Sequence, residues 1–158
     1  MAREYGRAPR GKRCYDSRPK NWGENITVIG ALSLAGVDAV MTLNGALTQQ
    51  WFDKWVEKFL VPLLMPGDLI VLDNLSVHKS KRACELVQAA GAAFVFLPAY
   101  SPDLNPIEQA WSKLKALLRM LAPRTRDHLE DALVWAISKV SPGDALSWIK
   151  HSGYLLDF

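Results

Sequence analysis

The chain has 158 residues, 49% of them apolar, and a formal net charge of +3. That length suits one domain with a sizeable core. Its apolar content is too high for disorder, and Gly, Pro and charge interrupt it too often for a membrane protein.

The first element is a basic leader. Residues 1–20 hold Arg3, Arg7, Arg10, Lys12, Arg13, Arg18 and Lys20 against Glu4 and Asp16, a local +5 that leaves −2 for the rest. Such a segment suits a phosphate backbone, which releases counterions as its charges are neutralised. A solvated arm would have the same composition. Met1 to Tyr5 lacks the apolar run of an export leader. Cys14 and Cys84 stand far apart without metal-ligand spacing, which fits a reducing cytoplasm.

Strands come next. Arg13 to Ser17 and Asn25 to Leu34 read as extended, the second rich in β-branched residues; Gly36 marks a turn, and Val37 to Leu43 returns. Connections this short favour antiparallel pairing. Thr48 caps a helix running to about Leu64, with Trp51, Phe52, Trp55, Val56, Phe59, Leu60 and Leu63 at helical spacing and Pro66-Gly67 as its stop. Leu69 to Leu72 is apolar on both faces, as a central parallel strand would be. A helix over Lys79 to Ala90 and a buried strand over Ala93 to Leu97 complete a right-handed β-α-β unit. Helices over Pro106 to Leu121, Asp127 to Val140 and Pro142 to His151 finish the chain. The expected class is α/β, a mixed sheet flanked by helices. Trp51, Trp55, Trp111, Trp135 and Trp148 fall mostly on helical stripes and are assigned to the core.

Two carboxylates carry the chemistry. Asp73 directly follows Leu69-Ile70-Val71-Leu72, at the carboxyl end of a strand, where open sheets place reactive groups. A turn aspartate bonding the amide of Leu75 or Ser76 would occupy the same position. Glu108 falls three residues after Asn105, so Asn105-Pro106-Ile107-Glu108 also fits a capping box. It heads a polar row with Ser112, Lys115 and Arg119, opposite the apolar face of Ile107, Trp111, Leu114, Leu118 and Leu121. Two acids meeting at a sheet end form a typical magnesium site for phosphoryl chemistry. His78 reads as a structural hydrogen-bonder, and Asp103 as support for the turn. Lys79, Lys81 and Arg82 are candidates for phosphate contact, or for simple exposure.

The segments Leu72-Asp73-Asn74-Leu75-Ser76-Val77-His78-Lys79 and Leu97-Pro98-Ala99-Tyr100-Ser101-Pro102-Asp103-Leu104-Asn105-Pro106-Ile107-Glu108 are together highly specific. They resemble the DDE transposases of bacterial insertion sequences related to the Tc1/mariner superfamily. Thirty-four residues lie between Asp73 and Glu108, as in that group. The resemblance implies a ribonuclease-H-like fold over residues 1–158 as a single catalytic domain. It implies metal-dependent DNA cleavage and strand transfer, with two Mg2+ or Mn2+ ions held by Asp73 and Glu108. It assigns DNA contact to Lys79, Lys81, Arg82, Lys115 and Arg119. The implied partners are DNA (element ends and target) and further transposase copies, with no membrane.

One departure matters. The family's first catalytic Asp precedes the Tyr5-Gly6-x-Ala8-Pro9 segment, and neither Asp16 nor Asp38 stands in its place. The first strand and the helix-turn-helix region are expected to be missing, with neighbouring strand edges left open. This fits the downstream part of a split or frameshifted gene. Two readings stay open: an enzyme module completed by upstream sequence, and a non-catalytic DNA-binding or regulatory fragment.

Overall fold

The computed structural model describes residues 7–13, 15 and 25–154. Four strands and five α-helices occur among them. Of the strand expected over Arg13 to Ser17, Arg13 and Tyr15 are described and lie in no strand; the remainder falls outside the described residues.

Strands β1 (Ile26–Ser33) and β2 (Gly36–Asn44) form the expected antiparallel hairpin. Their register shifts between Ile29 and Ala31, and Ala39 opposite adopts φ 52°. The bulge leaves the Ala39 carbonyl to accept a hydrogen bond from the Trp55 indole N–H. Gly30 faces the bulge because a Cβ there would meet Asp38, Val40 and Trp111 atoms at 3.4 Å.

Thr48 caps α1 (Gln49–Trp55) through its side chain, as read from sequence. The helix then departs from the expected straight run to Leu64. A π turn comes next over Val56–Leu60, then a 3-10 turn over Val61–Leu63. Pro62 has no amide hydrogen to donate, and the wider turn rotates the residues beyond it. Phe52, Trp55, Val56 and Leu60 are therefore buried, whereas Phe59 and Leu63 are exposed.

Strand β3 (Leu69–Leu72) runs parallel to β4 (Ala93–Phe96), linked by α2 (Lys81–Ala89). Helix α2 starts two residues later than expected because the buried Ser80 hydroxyl accepts from the Ala83 amide. Helices α3 (Ile107–Leu121), α4 (Arg126–Ile137) and α5 (Pro142–His151) close the chain. Tyr154 donates to the Leu104 carbonyl at 2.8 Å, tying the end of the described chain to the loop before α3.

Two apolar clusters sandwich the hairpin. Ile29, Ala31, Ala39 and Met41 face α1 and α2; Val28, Leu32, Val37 and Val40 face α3 and α4. The strand alternation read from sequence thus divides into two cores, one per face. Among the described residues, however, no ladder joins the hairpin to the β3–β4 pair. Strand β3 consequently misses the expected burial: Leu69 is 69% exposed and the other three residues are half-buried.

The tryptophans also divide. Trp55 is buried, and Trp111 and Trp148 pack against a core. Trp51 and Trp135 are exposed, each beneath a lysine one turn on, Lys54 at 4.6 Å and Lys139 at 5.3 Å. Helical spacing alone could not show that these two rings lie at the margin of the apolar face.

Candidate active site

Asp73 leaves the end of β3 and is held by its own loop. Its Oδ1 accepts from the Leu75 amide at 3.2 Å, the turn contact anticipated from sequence. The same oxygen lies 2.7 Å from His78 Nδ1. That contact is electrostatic and poorly directed, since Nδ1 lacks an aligned hydrogen-bond partner. The His78 ring rests on Phe52, with centroids 4.8 Å apart. A buried core ring thus sets the imidazole, and the imidazole sets the carboxylate. Both contacts fall on Oδ1, which leaves Oδ2 for another partner.

Glu108 stands in the first turn of α3, fully on the surface. The anticipated capping box is not formed. Helix α3 begins after Pro106 with no side-chain cap, and Asn105 is instead buried. Only a backbone bond remains, Glu108 amide to Asn105 carbonyl at 3.1 Å. The Glu108 carboxylate is therefore not consumed by its own helix. Ser112, Lys115 and Arg119 are exposed on the same row, as expected.

Asp73, His78, Asn105 and Glu108 all line one groove of about 770 Å³ between β1 and β3. Tyr154 lines it too, and burial pushes its phenol pKa up. The fold therefore brings two acids from distant sequence positions to a common cleft. Among the described residues no group of three or more His, Cys, Asp and Glu side chains comes together.

The candidate DNA contacts are scattered. Lys79 is exposed beside His78. Lys81 pairs with Glu85 at 3.7 Å, and Arg82 with Glu57 at 2.9 Å. Arg82 borders a different hollow, with Trp51 and Asp53, away from the acids. Of the five, none lines the groove that holds Asp73 and Glu108. Cys84 is a half-buried free thiol; Cys14 lies outside the described residues.

Sequence reading missed two anchors. Lys113 bonds Asp144 at 2.7 Å, and Asp144 also accepts from the Ser141 amide and hydroxyl, closing a true capping box on α5. These donors, Lys113 foremost, hold the Asp144 carboxyl down to about 2. The motif Ser141-Pro142-Gly143-Asp144 signalled that box; the Lys113 partner had no local signal. The Tyr154 clamp had none either, its acceptor being a backbone carbonyl 50 residues away.

An α/β core with paired carboxylates in a cleft between strands defines a nuclease-type domain. The chain belongs to the DDE superfamily endonucleases, whose family model matches residues 1–130. Its fold is similar to that in the Mos1 Strand Transfer Complex, with a TM-score of 0.67 and 14% identity over 99% of this chain and 51% of that one. A pre-cleavage Mos1 transpososome (TM-score 0.46, 13% identity, 99% and 53% covered) and the Mos1 mariner paired end complex with Mn (0.45, 14%, 99% and 52%) also match. The chain spans about half the length of these solved chains. No curated protein matches it in sequence. The fold is thus the transposase type expected from sequence. No helix among the described residues is long and apolar enough to cross a membrane.

Proposed function

We propose that this chain is the catalytic domain of a transposase, directed at metal-dependent DNA cleavage and strand transfer. The observation that carries the reading is the meeting of Asp73 and Glu108 in one groove. Hard oxygen donors of this kind suit Mg2+ or Mn2+, and Mg2+ is commonly held by one or two carboxylates plus phosphate oxygens. Asp73 Oδ2 and the uncommitted Glu108 carboxylate would supply that set for one ion. A second ion calls for another acid, which upstream sequence in a longer product would provide. When bound, the metal supplies charge stabilisation and an activated oxygen for attack on a phosphodiester.

The chain's own residues prepare this. His78 and the Leu75 amide fix the orientation of Asp73, as partners behind metal ligands do. Tyr154 holds the loop that delivers Glu108. Lys79, Lys115 and Arg119, exposed and without ion-pair partners among the described residues, are the better phosphate contacts. Lys81 and Arg82 are already paired with acids and contribute less. DNA is the proposed partner, both element ends and target, with further transposase copies and a cytoplasmic location.

A second reading rests on the absence of a three-acid cluster among the described residues. It makes the chain a DNA-binding or regulatory fragment without catalysis. A magnesium-dependent nicking assay separates the two, comparing this chain with a version extended upstream. The chain alone is expected to bind DNA weakly and salt-sensitively, and to nick little. The extended version is expected to nick, and to stop when Asp73→Ala or Glu108→Ala is introduced. Full nicking by both variants would remove these acids from the chemistry.

A further inference from the structure

The groove between β1 and β3 is walled by strand edges. Its lining includes Val28 to Leu34 along β1 and Asp68 to Asp73 along β3, a single residue of β4, and none of β2. The ladder bonds tell which backbone groups face it. Asp68 and Leu72 carbonyls accept from Ala93 and Leu97, so even-numbered residues of β3 turn toward β4. By alternation, the N–H and C=O of Leu69 and Val71 face the groove. On β1, the Gly45 amide bonds the Asn25 carbonyl, which turns odd-numbered residues toward β2. Val28, Gly30 and Leu32 therefore aim their backbone groups into the same space.

Two open edges facing one groove differ from an ordinary exposed edge. Floor and roof are apolar: Phe52, Trp55 and Leu60 on the α1 side, Ile107 and Trp111 on the α3 side. Leu69 and Leu34 are left 69% and 40% exposed at its margin. A small polar ligand would bury these backbone groups without satisfying them. A β-strand would satisfy both rows and cover both apolar faces at once.

We propose that this groove is a strand acceptor, taking an extended polypeptide segment that hydrogen-bonds to β1 and β3 together and fuses the two sheets into one. The segment is apolar on both faces, as a strand buried between two helical layers must be. We assign its source to polypeptide outside the described residues. This fold accounts for only 51% of the matched solved chain, so longer relatives carry further chain from which such a strand could come. The acceptor role stands without metal or DNA. Its bearing on catalysis, by completing the wall beside Asp73, rests on the proposed function.

The test supplies a strand in trans to the intact chain. The probe is the acetylated and amidated peptide Lys-Lys-Val-Ile-Val-Leu-Ile-Lys-Lys, followed by NMR amide exchange. Saturating peptide is expected to slow exchange at least about tenfold at Val28, Gly30, Leu32, Leu69 and Val71. Ile70 and Leu72, already bonded to β4, should change far less. Peptides N-methylated at alternate residues cut the bonds to one edge only. Either methylation phase should abolish protection on both edges if the slot is two-sided. Val71→Pro in the protein, which removes a groove-facing donor and spares the β3–β4 ladder, should weaken binding in the same way. Protection unaffected by methylation, or confined to one edge, overturns the proposal. So do edges already protected before peptide is added; sedimentation then tells whether a second copy or the chain itself covers them. Loss of nicking or metal binding leaves these readouts untouched, so failure of the catalytic reading is seen separately.

Discussion

Phe52 joins the core to the site, and Phe52→Leu measures that link. The ring is completely buried and meets three others, His78 at 4.8 Å, Trp55 at 5.7 Å and Phe94 at 6.3 Å. Truncation to alanine would cost about 3–5 kcal/mol, close to the whole stability of a small domain. Leucine keeps most of the apolar burial and removes the ring pairs, each worth about 0.5–1.5 kcal/mol beyond area. The pairs share one ring and do not add fully, so the expected loss is about 1–3 kcal/mol. With a urea slope of about 2 kcal/mol/M, the midpoint falls by roughly 0.5–1.5 M at unchanged slope. Trp55 fluorescence tracks the transition directly. Because His78 loses its support, Mn2+ affinity at Asp73 should fall as well. An unmoved midpoint would refute the packing argument. A shifted midpoint with undiminished Mn2+ affinity would cut the link from Phe52 through His78 to Asp73.

Four further outcomes are expected. His78→Ala should lower Mn2+ affinity by about tenfold, the effect of losing a partner behind a metal ligand, as read by electron paramagnetic resonance titration. Glu108→Gln should abolish Mn2+ binding yet change stability by no more than about 1 kcal/mol in urea melts, its carboxylate being exposed and engaged only with the helix dipole. Asp144 has its carboxyl held at about 2 against an ordinary 3.8. Its stabilising contribution is therefore complete above 3.8 and is lost as pH falls through about 2; Asp144→Asn should flatten that limb of the stability curve in acid urea melts. Tyr154→Phe removes the bond to Leu104 and should cost about 1 kcal/mol, with faster amide exchange over Ser101 to Asn105.

Local patterns carried most of the architecture. Thr48 capped its helix, Gly36 turned its hairpin, and β-α-β spacing yielded the parallel pair, because caps, turns and periodicity act within a few residues. The position of Asp73 at a strand end and of Glu108 in a first helical turn were equally local facts. Where sequence reading failed, a distant partner was in control. The capping box expected at Asn105 gave way to burial of that residue. The helix after Trp55 widened into a π turn, and Trp51 and Trp135 came to the surface.

Sequence by itself determined which residues could form strands, caps and acids, since those propensities are written in neighbouring side chains. Only the tertiary structure decided that Asp73 and Glu108 share a groove, that Phe52 and His78 steady the first of them, and that two strand edges face one apolar slot. Such facts depend on chain segments tens of residues apart being brought side by side. The energy that does so comes from burying apolar surface, which has no direction along the sequence and becomes specific only when the whole core closes.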